Sequence, residues 1–401
     1  MSDWKTKTLG EVTSYIAKGV PPKYVEEASD DTIYVLNQKC NRNFRISYDD
    51  SRLHNNAAKK VPDIKMLKPG DVLINSTGTG TAGRVAQIWN VKAPTTIDGH
   101  MILMRPTDEI DSLYYGYAIK AFQAVIESYA EGSTGQTEIN KTRLQNETII
   151  AYPTDKGEQS KIARILAAID EKLLLNEEVN KNLEQQAEAI FQSILSNAIT
   201  TVNLGEIADV KGGKRLPKGV NLIDIPNTHP YIRVRDLNNV LFASLTPDYA
   251  YVDEETQKSI SRYIVSTGDV LISIVGTIGL TAIVDSTLDK ANLTENCVKV
   301  TNLKHITPEY LLLYLRSQLG REAITKGTVG AVQQKLPIKN IQAIPIPLLS
   351  EKDKNTLFCT LDSIFAEISS NVIQSAKLSS LRDTLLPRLM SGELDASNID
   401  L

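Results

Sequence analysis

Nothing in the 401 residues runs apolar for the roughly 18 positions that a membrane span needs. The opening stretch MSDWKTKTLG has no signal-peptide core, so a cytoplasmic protein without a membrane partner is expected. Cysteine is scarce. Cys40, Cys297 and Cys359 stand far apart and are odd in number, which argues against a disulfide framework or a C-x-x-C metal site and leaves three buried or inert thiols. Histidine is scarce too, and His54, His100, His229 and His305 show no H-E-x-x-H or similar ligand spacing, so no metal is expected. The net charge of −4 lacks the basic excess common in nucleic-acid-binding domains. A global balance can hide charges sorted onto different faces, however, and KGGKRLPKG at 211–219 is a clear basic cluster.

What is present is a repeat. TLGEV, with Leu9, returns as NLGEI, with Leu204, at an offset of 195 residues. KPGDVLINSTGTGTAGRVAQI (68–88) returns as STGDVLISIVGTIGLTAIV (266–284). The tyrosine-containing stretch 110–130 returns at 306–326, and GSTGQTEINKTRLQNETIIAYP (132–153) returns as GTVGAVQQKLPIKNIQAIPIP (327–347). The repeat decides what Gly78, Gly80 and Gly83 mean. They spell G-x-G-x-x-G after the strand-like VLIN, but the second copy keeps only Gly276 and Gly279. A dinucleotide loop also needs a helix to begin at its glycines, whereas RVAQIW and LTAIVD read as strands. A β-hairpin is expected in both copies, and the rival reading, a cofactor-dependent enzyme using loop 76–83, is disfavoured. The P-loop pattern is missing as well.

A long helical stretch closes each copy. In 157–198 the seam Ile162, Leu166, Ile169, Leu173, Asn176, Asn180, Leu183, Ala187, Ile190 and Ile194 follows alternating steps of four and three. The same offset gives Leu357, Leu361, Ile364, Ile368, Asn371, Ser375, Leu378, Arg382, Leu385 and Leu389, and the polar interruption recurs at the same place. Antiparallel pairing of the two stripes would bring Asn176 and Asn180 near Asn371 and Ser375, a polar layer that disfavours shifted registers. The second helix is expected to end or kink near Pro387, with Gly392 as its C-cap. Dense turn signals among short strands predict α+β halves. The expected boundaries are a first domain at 1–155, a long helix at 156–199, a second domain at 200–350 and a second long helix at 351–401. Tyr114, Tyr115, Tyr117 and Phe122, with Tyr310 and Tyr314, sit at helical spacing and are expected to pack rather than stack on bases.

The order domain, helix, domain, helix resembles the specificity subunits of type I restriction-modification systems. The glycine hairpins, STGQTEINKTRL, EQSKIARILAAID, YIRVRDLNN and LLPRLMSGEL fit along nearly the whole chain. The resemblance implies two tandem target recognition domains in pseudo-two-fold arrangement, separated by an antiparallel coiled coil and each reading one part of a bipartite double-stranded DNA site. It implies no catalysis and no cofactor in this chain. Two methyltransferase subunits would carry S-adenosylmethionine, and two restriction/translocase subunits using ATP and Mg can join them. A methylation-only orphan subunit is the variant reading within the family. The adenine methyltransferase tetrapeptide [ND]-P-P-[YF] is absent: VPPKY at 20–24 lacks its Asn or Asp.

If the coil is a ruler, its seam of about 33 residues spans roughly 50 Å, against major grooves that recur every ~34–36 Å on one face of B-DNA. Base reading calls for Arg, Lys, Asn or Gln on exposed loops. In the first half the candidates are Asn37, Gln38, Lys39, Arg42, Gln136 and Lys141. In the second they are Arg233, Arg235 and Asn238, with Lys211, Lys214 and Arg215 beside glycines whose flexibility suits close approach to phosphates.

Overall fold

In a computed structural model, residues 3–132 and 137–396 are described, and they fall into two units. The first comprises residues up to Leu173 together with those from Leu378 onward; the second runs from Leu174 to Lys377.

The core of the first unit is an antiparallel sheet in the order Thr13–Lys18, Met101–Pro106, Asp71–Asn75, Val85–Ile88. Asp71–Asn75 and Val85–Ile88 form the expected hairpin, with Ile74 opposite Val85. No helix begins at its glycines, so the geometry that would hold a pyrophosphate is not there. A second sheet pairs Thr95–Ile97 in parallel with Thr32–Leu36, followed by Arg52–Asn55 and Tyr24–Val25. The second unit repeats this plan. Its main sheet runs Asp209–Gly212, Cys297–Thr301, Val270–Ser273, Thr281–Val284, Phe242–Ala243, and its smaller sheet pairs Pro230–Ile232 in parallel with Asn292–Leu293.

The repeated L-G-E has a structural cause in both copies. Leu9 and Leu204 are fully buried. Their backbone N–H groups donate to Thr148 O at 2.8 Å and Ile344 O at 2.9 Å. The following glutamates turn back to accept from the backbone three residues earlier, Thr8 N at 2.8 Å and Asn203 N at 3.2 Å. Each motif thereby anchors a strand that pairs with the one leading into a long helix: Trp4–Thr8 with Ile149–Pro153, and Thr200–Asn203 with Pro345–Leu348.

The tyrosines pack, and their hydroxyls find partners. Tyr114 OH donates to Ala151 O at 2.8 Å, Tyr115 OH shares 2.7 Å with Thr13 Oγ1, and Tyr310 OH donates to Pro347 O at 2.6 Å. Tyr314 is buried and Phe122 partly so.

The long helices run Lys156–Leu195 and Glu351–Met390. None of the twenty seam positions is exposed. In the first unit, Ile162 and Leu166 share a core cluster with Leu386, Leu389 and Met390. Arg382, the charged seam position, donates to Asp170 Oδ1 at 2.9 Å, while Tyr117 OH takes Oδ2 at 2.7 Å. A cation is tolerated in the seam because a half-buried carboxylate meets it. In the second unit, Asn176 Nδ2 donates to Ser375 Oγ at 3.1 Å and Gln374 Oε1 at 2.9 Å, and Asn371 Nδ2 donates to Asn180 Oδ1 at 2.9 Å. Four residues forward on one helix match four backward on the other, so the segments are antiparallel there. The second helix carries Pro387 in its last turn and stops at Met390, close to the end expected from the sequence. It is capped at Gly392, whose φ of 76° lies in the left-handed region, and Leu394 N reaches back to Arg388 O at 3.1 Å. The proline lacks the N–H that would donate to the carbonyl of Asp383 one turn earlier, and one further turn forms after it before the cap.

Candidate nucleic-acid interface

Each unit builds one exposed corner from three pieces: the tip of the glycine hairpin, a turn before a central strand, and the segment leading into a short helix. In the first unit Ser76 N donates to His100 O at 2.8 Å, Ile139 N donates to Ser76 O at 2.8 Å, and Thr77 bridges Glu138. In the second, Ile274 N donates to Asn296 O at 2.8 Å, Leu336 N donates to Ile274 O at 3.0 Å, and Val275 bridges Lys335. The turns match as well. Asp98 Oδ1 accepts from His100 N at 2.9 Å, and Thr294 Oγ1 accepts from Asn296 N at 3.4 Å. The backbone is shared but the side chains are not: the first corner carries a Thr77–His100 hydrogen bond of 2.7 Å where the second has Val275 and Asn296. Burial pushes the Asp98 carboxyl above the usual carboxylate range despite the hydrogen bond from His100 N.

The residues expected from sequence to read DNA meet different fates. Asn37 caps the turn Gln38–Cys40, accepting from Lys39 N at 2.9 Å and donating to Asp50 O at 2.7 Å. Its side chain is thus engaged locally. Gln38 is half-buried, and its carbonyl accepts from the buried Asn75 Nδ2 at 3.1 Å, which ties this turn to the hairpin strand. Lys39 and Arg42 are exposed. Lys141 is exposed but donates to Ile16 O at 3.2 Å, and Gln136 lies outside the described residues.

In the second unit Arg233 is turned inward. Its guanidinium holds Asp236 Oδ1 and Oδ2, both at 3.0 Å, and Asp248 O at 3.0 Å. Arg235 and Asn238, on the same turn, are exposed. Lys211 pairs with Asp209 at 3.0 Å, Lys214 lies over the Tyr263 ring, and Arg215, 84% exposed, meets Glu295 at 3.1 Å.

The glycines of KGGKRLPKG answer to a different constraint from the one their composition suggested. A Cβ on Gly213 would lie 2.0 Å from Thr294 O, so this glycine lets the strand cross its own neighbour's backbone rather than a phosphate. Gly19 has the same relation to Asp98 O, at 2.1 Å. Gly213→Ala is expected to cost about 1–3 kcal/mol, because only backbone movement relieves the overlap. Gly212→Ala, whose Cβ would meet just Ile338 Cδ1 at 3.5 Å, is the matched control. Denaturant midpoints of the two variants check the difference, and equal midpoints would refute it.

Sequence reasoning missed His100, Asn296, Gln333, Gln334 and Lys335. Backbone hydrogen bonds from Ser76 and Ile274 bring His100 and Asn296 to the corners, the Val275–Lys335 bridge brings Lys335, and Gln333 and Gln334 line the same cleft as Lys335; the one signal in the sequence was the alignment of loop 327–336 with loop 132–139. Cys40 and Cys297 are buried, and burial pushes the Cys297 thiol up to about 12; Cys359 is exposed. Among the described residues no cluster suits a metal ion and no helix is long and apolar enough to cross a membrane.

The Type I restriction modification DNA specificity domain matches this chain twice, over residues 1–185 and 198–377. The type I restriction enzyme MjaIX specificity subunit of Methanocaldococcus jannaschii is 21% identical over 425 residues, covering 98% of this chain and 94% of its own. The HindI specificity subunit of Haemophilus influenzae is 21% identical over 479 residues, covering 98% and 100%. The crystal structure of a type I restriction-modification S subunit from M. genitalium superposes with a TM-score of 0.59 at 17% identity, covering 97% of this chain and 96% of its own. That likeness shows a shared fold.

Proposed function

The chain belongs to the type I restriction-modification DNA specificity family, and on that premise we propose that each repeat reads one part of a bipartite DNA target while the paired long helices set the unread gap. It is the DNA-recognition subunit of a type I restriction-modification system and acts with DNA and the other subunits of that complex. The observation that carries the finer reading is the recurrence of one corner with different side chains. A shared backbone carrying Thr77 and His100 in one copy and Val275 and Asn296 in the other suits two unlike half-sites.

In this reading the chain binds and positions DNA without catalysing a step. Two methyltransferase subunits supply S-adenosylmethionine chemistry, and two restriction/translocase subunits supply ATP- and Mg-dependent work, in the cytoplasm. Exposed cations contact phosphates; loop amides and guanidinium groups contact base edges. The test is to sequence modified bases in DNA from cells expressing this chain with its methyltransferase partner. A motif of two short words separated by a fixed gap is expected, and one uninterrupted word would refute the reading.

Two variants separate the contact classes. The Arg215–Glu295 pair is exposed and holds the guanidinium weakly. Arg215→Ala is therefore expected to weaken binding equally across sequences and to reduce the salt slope by about 1. Arg235 is 66% exposed, and Arg235→Ala should relax base preference at one position. Salt titrations and motif mapping check them; an Arg235→Ala motif of unchanged stringency removes that residue as a reader.

A further inference from the structure

The loop that enters the second corner presents apolar side chains beside free amides and a cation. Val332 at its tip is fully exposed and Val329 is about half exposed, with Gln333, Gln334 and Lys335 exposed behind them. Water disfavours a branched apolar side chain held out in this way. The loop is also closed at its base. Val329 N donates to Lys335 O at 2.8 Å, and Lys335 N returns to Val329 O at 2.9 Å. Gly330 turns the chain at φ 105°, where a Cβ would meet Gln333 O at 2.4 Å. The bridge between Lys335 and Val275 fixes this finger to the glycine hairpin. Among the described residues the exposed side-chain amides of Gln333 and Gln334 make no hydrogen bond. They line an open cleft of about 340 Å³ with Arg215, Asn296, Lys335 and Glu295, in which two cations outnumber one carboxylate.

We propose that this finger reads an A·T base pair in the major groove. The amide of Gln333 or Gln334 bonds adenine N7 and N6 in bidentate fashion, and Val332 lies on the thymine C5-methyl. Arg215 and Lys335 flank the finger as phosphate contacts that set its register. Two features fit this ligand. A carboxamide offers one donor and one acceptor side by side, matching the adenine edge. The aliphatic tip gains from covering the methyl group, which no other base presents. Because the finger is closed before DNA arrives, little ordering cost accompanies binding. The inference deepens the reading of the second repeat as a DNA-contact unit and rests on it.

The test uses the full chain co-expressed with its methyltransferase partner. Modified sites are sequenced for the unaltered protein and for Gln333→Ala, Gln334→Ala and Val332→Ser, all at exposed positions. One word of the bipartite motif is expected to relax at an A·T position in a glutamine variant, with modification of sites carrying the wrong pair rising about 10–100-fold relative to correct ones. Val332→Ser should relax the same word, and the other word should keep its stringency as an internal control of folding and assembly. Motifs as stringent as the original at every position in all three variants would overturn the finger as a reader. So would a uniform drop in modification with no position relaxed. If the unaltered protein gave no two-part motif, the reading of the repeats would fail together with the finger; a normal two-part motif with unaffected variants sinks the finger alone.

Discussion

Arg105→Met is expected to cost the first unit about 3–5 kcal/mol of stability. Asp71 is the aspartate of the G-D-V-L that opens the central hairpin, and its side chain is 3% exposed. Arg105 Nε donates to Asp71 Oδ1 at 2.7 Å and Nη2 to Oδ2 at 2.9 Å, a two-point match between planar groups. The same guanidinium satisfies the carbonyls of Ile64 and Met66, both at 2.8 Å. Methionine keeps most of the stem's packing but leaves the buried carboxylate with the N–H of Lys68 at 2.8 Å. The cost is that of an unpaired charge out of water, which is why removing one partner hurts more than removing both. The double variant Arg105→Met with Asp71→Asn should recover a large part of the loss. Denaturant unfolding of the three proteins checks this, and a single-variant loss under about 1 kcal/mol, the scale of an exposed pair, would refute it. The second copy makes the same use of its G-D-V-L: Asp269, 4% exposed, pairs with Lys299 at 3.1 Å and accepts from Ser266 N at 2.9 Å.

That parallel shows what was legible in the sequence and what was not. The long helices were legible because a seven-residue period is local and needs no knowledge of the partner. The hairpin reading was legible because β-branched residues after the glycines cannot begin a helix as easily as they continue a strand. The placement of Arg233 was not legible: Asp236 stands three residues on, but Asp248 returns beside it from fifteen residues away, and the guanidinium holds both. The glycine-rich basic loop gave no sign that Gly213 is demanded by Thr294, eighty-one residues away in sequence. His100 and Asn296 escaped notice because sheet register, not spacing, carries them to the hairpin tips. Pro387 was placed correctly near the helix end, but proline disrupts the turn before it, and the remaining turn forms on the cap at Gly392.

Lengthening both long helices should change the unread gap in the DNA target without changing either word. Four residues inserted between Lys181 and Asn182, matched by four between Ser369 and Ser370, extend each helix by roughly 6 Å. At about 3.4 Å per base pair that is close to two additional unread pairs. The sites lie beside the layer in which Asn176 meets Ser375 and Asn371 meets Asn180, so the opposed insertions keep the antiparallel partners in step. Four is not a heptad, and an insertion of that length unwinds the supercoil locally. A seven-residue pair of insertions keeps the seam in phase and adds roughly 10 Å, or about three base pairs. The two variants together distinguish length from phase. If length sets the gap, both motifs keep their words and widen by about two and three positions. If both retain the original gap, the helices are struts with no ruling function, and the spacing must be fixed where the loops of each repeat meet DNA.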